Sequence, residues 1–113
     1  MRSSGRNAED AAAIFLQQQG LTLVERNYQC RYGEIDLIAH DGDTLVFVEV
    51  RMRSSNAFGG AAASITAAKR HKLLRTARHY LSGLPRAPVC RIDAVLIDSS
   101  ANAPEWLKNV FGE

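Results

Sequence analysis

The sequence predicts an α/β fold, a mixed sheet flanked by helices, in the order helix, three strands, helix, strand. Three observations lead there. Residues 33–53, GEIDLIAHDGDTLVFVEVRMR, are two apolar strand-like runs joined by an Asp-Gly turn. A helical apolar period follows over about 66–82, and a last apolar run, CRIDAVLID, comes after it. A hairpin followed by a helical crossover to a further strand makes a sheet with both antiparallel and parallel neighbours.

Asn7 is placed to cap a first helix over about 7–19, with Glu9 and Asp10 in its first turn favouring the positive end of the macrodipole. Ala12, Ile14, Phe15 and Leu16 give its apolar stripe, and Gly20 ends it. LTLVERNYQC alternates loosely and predicts a strand over 21–29. In the next strand, 33–40, alternation puts Ile35, Leu37 and Ala39 on one face and Glu34, Asp36, Ile38 and His40 on the other. Asp41, Gly42 and Asp43 form the turn. The third strand, 44–53, opens with an unbroken apolar run, as a central strand covered on both faces does. Leu45, Phe47, Glu49 and Arg51 share one face of it; Val46, Val48, Val50 and Met52 share the other.

Residues 54–64, with Gly59 and Gly60, read as a loop. The second helix, 66–82, packs through Leu73, Leu74, Ala77 and Leu81 and carries Lys69, Arg70, Lys72, Arg75 and Arg78 over the rest. Gly83 and Pro85 stop it. A fourth strand spans 90–98, and PEWLKNVF predicts one closing helical turn that packs Trp106, Val110 and Phe111.

With 113 residues, one domain over 1–113 is expected. No run approaches the roughly 20 apolar residues of a membrane span, and the first ten residues lack the apolar centre of a secretory signal, so the cytoplasm is the expected location. Cys30 and Cys90 are far apart with no CxxC pairing, which indicates neither a disulfide framework nor a zinc site. The net charge is +2 but unevenly spread: residues 50–92 hold nine Lys or Arg and no Asp or Glu, while Glu34, Asp36, Asp41, Asp43 and Glu49 crowd the segment before. Acids beside a basic half suit a metal-dependent enzyme acting on a phosphate polymer. Solvated helices are often as basic.

Asp36 and Glu49 interrupt apolar strands, and a buried carboxylate is costly without compensation. A metal ion, a hydrogen-bonded cation or water at the sheet end would each supply it. The two acids lie equally far from the turn and so come near one another across the hairpin. Their repulsion favours a divalent cation between them, and hard oxygen ligands suit magnesium or manganese. The competing explanation is a structural salt bridge with Arg51 or Arg53. Glu34 shares the face of Asp36 and either supports the site or faces solvent. Asp93, in the echoing strand RIDAVLID, reads better as a structural hydrogen-bond acceptor than as a ligand. His40, His71 and His79 show no metal-binding spacing.

AED at 8–10, ERNYQCRYGEIDLIAHDGDTLVFVEVR at 25–51, AFGG at 57–60, CRIDAV and the late LKNVF together resemble the YraN family over nearly the whole chain. The resemblance implies a restriction-endonuclease-like αβββαβ core, similar to archaeal Holliday-junction resolvases, whose sites combine a helix acid, a strand aspartate and a Glu-x-Lys pair. Carried over, Glu9, Asp36 and Glu49 are the magnesium or manganese ligands, and Arg51 stands at the lysine position. Arginine holds a phosphate in its planar fork but stays protonated, so it cannot act as a base near neutral pH.

The implied function is a metal-dependent endonuclease on branched or structured DNA. The alternative is a noncatalytic DNA-binding or protein-interaction module on the same fold, impaired by Arg51. Beside such a site Arg53, Lys69, Arg70, Lys72 and Arg75 become phosphate contacts, with recognition through backbone shape and charge. Symmetric cutting of a junction implies a homodimer, to which Phe58 and Trp106 are candidate contributors.

Overall fold

The computed structural model describes residues 4–53, 66–98 and 103–111. Within them the chain forms α1 (Ser4–Gln18), β1 (Thr22–Cys30), β2 (Gly33–Asp41), β3 (Thr44–Arg53), α2 (Ala67–Ser82), β4 (Cys90–Asp98) and β5 (Glu105–Leu107). The five strands make one sheet in sequence order. Neighbours are antiparallel except β3 and β4, which are parallel and joined through α2. Helix, three strands, helix and strand is the α/β arrangement expected of a restriction-endonuclease-like core.

The helices cover opposite faces of the sheet. Ala12, Ala13 and Leu16 of α1 pack on Leu37, Ala39, Val46, Val48 and Val95. Leu73 and Ala77 of α2 pack on Ile35, Ile38, Leu45, Phe47 and Ile92. Adjacent residues of β3 therefore serve different cores, which explains its unbroken apolar run.

Five expectations are corrected. α1 begins at Ser4, so Asn7 lies inside it and is not its cap. Extending an existing helix by a turn adds one hydrogen bond per residue fixed, which carries it back through weak helix formers. Glu9 then falls in the second turn, where the macrodipole no longer accounts for it. Ile14 is 57% exposed and leaves the packing stripe to Ala8, Ala12, Ala13 and Leu16.

Ile35 does not share a face with Leu37 and Ala39: it packs under α2, they pack under α1. Alternation slips at Asp36, opposite Asn27, whose φ of 55° is left-handed. Finally, PEWLKNVF holds an edge strand rather than a helical turn. Trp106 pairs with Val95, and the backbone bonds of β4 to β5 replace the intrahelical ones. The loop expected over 54–64, with Phe58, lies outside the described residues, as does the side chain of Arg53.

Asp93 fixes this closing segment. It is fully buried, and its carboxylate accepts from Arg91 Nε (3.0 Å), Trp106 Nε1 (2.9 Å) and the Asn109 backbone N–H (2.9 Å). Arg91 also donates to Asp41 Oδ2 at 2.8 Å. Trp106, edge-on to Phe15, is thereby taken up within the chain. Asp93→Ala leaves the half-buried Arg91 with Asp41 as its remaining acceptor and removes the acceptor of the Trp106 indole and Asn109 backbone N–H groups, and a loss of about 1–3 kcal/mol is expected. Urea unfolding followed by the fluorescence of the sole tryptophan measures it.

Candidate functional site: an acid-lined cleft where two strands part

β2 and β3 pair from Asp41–Thr44 as far as Leu37–Val48. Beyond that the ladder stops, and the Val50 N–H donates to the side chain of Asp36 (Oδ2, 2.8 Å) instead of to a strand carbonyl. The parting strands open a cleft of about 620 Å³ bounded by both helices. Ala8 and Glu9 of α1, Gly33, Glu34 and Asp36 of β2, Glu49 and Arg51 of β3, and Lys69 and Lys72 of α2 all line it.

Gly33 makes the close approach of β2 to α2 possible. Its φ is 148°, a value side chains rarely adopt, and a Cβ there would stand 3.1 Å from Thr76 Oγ1 and 3.8 Å from Lys72 Cε.

Oxygens of Glu9, Glu34 and Asp36 lie within 4.8 Å of one another, a spacing at which one cation can touch all three. Glu34, left open by the sequence, thus joins the acids. It is the exposed member of the three, while Glu9 and Asp36 are half-buried. Glu49 lines the same cleft as Asp36, and its Oε2 is ion-paired with Arg51 Nη2 at 2.5 Å. The salt bridge weighed against a metal site therefore exists for Glu49, and Arg51 Nε is buried with no partner of its own. Glu9 has a competing cation in Arg26, 3.9 Å away, although Arg26 holds Asp10 more closely at 2.6 Å.

Burial and crowding disfavour full ionisation. Burial pushes Asp36 up to about 7, the Glu49 carboxylate adds to the rise, and the Val50 N–H partly offsets it. Burial also raises Glu49, against the pull of Arg51. Glu9 rises through burial and then through Asp36, with Asn27 and Arg26 opposing. The Asp36 and Glu49 carboxyls act strongly on one another, so they titrate as a pair.

The five basic residues expected at the nucleic acid separate. Lys69 and Lys72 line the cleft. Arg70 lies over the Phe111 ring, 5.2 Å from its centroid, on another side of α2. Arg75 lies over Tyr32 at 4.7 Å, next to the cleft but not in its wall. The side chain of Arg53 is not described. Cys30 is half-buried in the cleft wall, and Cys90 is exposed.

Residues 8–97 match the uncharacterised protein family UPF0102. This chain belongs to that family. It is 62% identical over 112 residues to the UPF0102 protein NE0719 of Nitrosomonas europaea, covering 98% of this chain and 95% of that one. It is also 52% identical over 111 residues to a UPF0102 protein of Psychromonas ingrahamii (98% and 91% covered), and 56% identical over 108 residues to one of Cupriavidus metallidurans (95% and 79% covered). UPF0102 is the YraN family whose pattern the sequence resembles. The UPF0102 match takes in all four cleft acids, Arg51 and both cleft lysines, and ends before β5. Among the described residues of this UPF0102 chain, no helix is long and apolar enough to cross a membrane.

Two predictions follow from the cleft. Asp36 has a folded pKa of about 7 against about 3.9 unfolded, so between those values the folded state keeps a proton that the unfolded chain has lost. Stability from this group is whole below about pH 4 and is lost as pH rises through 7. In chelator, Asp36→Asn should flatten that fall and raise unfolding free energy at pH 8 by roughly 2 kcal/mol; an unchanged pH slope in urea titrations refutes the assignment. Gly33→Ala should lower stability by about 1–3 kcal/mol, read as a drop in melting temperature.

Proposed function

We propose that this protein is a divalent-metal-dependent nuclease that binds branched or otherwise structured DNA and hydrolyses a phosphodiester bond. The observation that supports this reading is the convergence of Glu9, Glu34, Asp36 and Glu49 with Arg51, Lys69 and Lys72 in one open cleft. Acids for a cation and basic side chains for a phosphate backbone line the same cleft, and structural ion pairing alone does not call for an open cleft.

The hard oxygens of Glu9, Asp36 and Glu34 fit magnesium or manganese. Such an ion supplies Lewis acidity to a phosphate oxygen and acidifies a bound water. Asp36, held by the Val50 N–H, keeps one oxygen oriented whatever its partner. Arg51 offers a charged fork to the phosphate and holds Glu49 in place, but it does not accept a proton. Lys69 and Lys72 neutralise the neighbouring backbone. With no base-reading element in view, recognition rests on shape and charge, and two-site cutting of a junction would use a homodimer.

One observation favours a second reading, a noncatalytic DNA-binding or protein-interaction module. The ion pair of Arg51 with Glu49 occupies a carboxylate that the proposed site would need.

Purified protein incubated with four-way junction, flap and single-stranded DNA, with magnesium, manganese or chelator, separates the two. Metal-dependent cleavage is expected, reduced about 100-fold or more by Asp36→Ala and by Glu49→Ala. Cleavage surviving both substitutions rules out the cleft as the site. DNA binding without cleavage by any form selects the second reading, and a gain of activity in Arg51→Lys identifies the arginine as the brake.

A further inference from the structure

Basic side chains continue out of the cleft along α2. Lys69, Lys72, Arg75 and His79 are spaced by three, three and four residues, which keeps them along one side of the helix over about 15 Å. Lys69 and Lys72 line the cleft, and α2 contains no Asp or Glu. Beyond Lys72 the charges meet aromatic rings at the β1–β2 turn. Arg75 lies over the Tyr32 ring at 4.7 Å; Arg31 lies over the same ring at 5.1 Å and donates to its hydroxyl at 3.0 Å. The His79 ring stands 5.8 Å from Tyr32, inclined by 63°, and its Nδ1 is 2.6 Å from the Tyr28 hydroxyl.

We propose that this track, from Lys69 and Lys72 past Arg75 to Arg31, Tyr32 and His79, binds an unpaired segment of a DNA strand. The substrate of the proposed nuclease is thereby specified as DNA with a single-stranded arm on the β1–β2 side of the cleft. The inference rests on that nuclease reading for which polymer enters the cleft.

Charge complementarity selects a polyanion: two guanidiniums share one tyrosine ring, and a phosphate neutralises both. The rings select an unpaired strand. A duplex keeps its base faces stacked inside and offers surface aromatics little, whereas every unpaired base exposes a π-face, and a basic groove carrying aromatic rings is the usual arrangement for such strands. Arg70, lying over Phe111, and Arg78, beside the same ring, stand on another side of α2 and are outside the track.

Fluorescein-labelled single strands, blunt duplexes and forked duplexes are titrated in chelator, where binding is read without cleavage. Tyr32→Leu should weaken single-stranded and forked DNA about tenfold and leave the blunt duplex within about twofold. Tyr32→Phe keeps the ring and should bind as wild type, and circular dichroism of both variants controls for folding. A 2-aminopurine in the unpaired arm should be quenched by wild type and not by Tyr32→Leu. Equal weakening of duplex and fork, or none of either, overturns the inference. If wild type cleaves with metal while Tyr32→Leu binds normally, the track fails and the nuclease reading stands. If the unpaired arm binds through Tyr32 but nothing is cleaved, the catalytic reading fails and the track stands.

Discussion

The hydrogen bond from the Val50 N–H to Asp36 is the point at which the sheet becomes a site. Past Leu37 and Val48 the two central strands stop pairing, and a backbone donor that a strand carbonyl would have taken is satisfied by a side chain. One bond thus closes the ladder without an orphaned N–H and holds a carboxylate at the mouth of the gap. The slip in alternation at Asp36, matched by the left-handed Asn27 opposite, turns the end of the sheet so that Glu34 and Asp36 meet Glu9 from the other layer. Gly33 then lets β2 pass close beneath α2, which brings Lys72 over the same gap.

Asp36 and Asp93 show how burial divides acids of similar sequence context. Both sit in Ile-Asp strands. Asp93 is surrounded by donors, from Arg91, Trp106 and the Asn109 backbone, and its charge is spent on holding the last strand. Asp36 has one backbone donor and faces other acids, so its charged form is disfavoured unless a cation enters. The first arrangement stabilises the fold; the second costs stability and is the kind of conflict that functional sites retain. Arg51 lessens that conflict at Glu49, and in doing so competes for the carboxylate.

Much of this was legible because apolar period and turn chemistry are local. The hairpin at Gly42, the central β3 and the proximity of Asp36 to Glu49 follow from register counted out from one turn, and the α2 stripe follows from its helical period. What was misread depended on partners distant in sequence. Ile35 changes face because Asn27, on another strand, turns with Asp36. PEWLKNVF becomes an edge strand because the side of β4 was free to pair and Asp93 was waiting for Trp106. Glu34 looked like any exposed strand acid until α1 brought Glu9 beside it.

The sequence by itself determined the α/β class, the element order, the family pattern and the identity of the central acids, since these depend on period, spacing and residue type along the chain. Only the tertiary structure decided that Glu34 joins the acids, that Arg51 holds Glu49, that Asp93 takes its donors from Arg91, Trp106 and Asn109, and that Lys69 and Lys72 rather than Arg70 face the cleft. Helix rotation, strand slip and layer packing set those relations, and each requires burying apolar surface from distant segments at once.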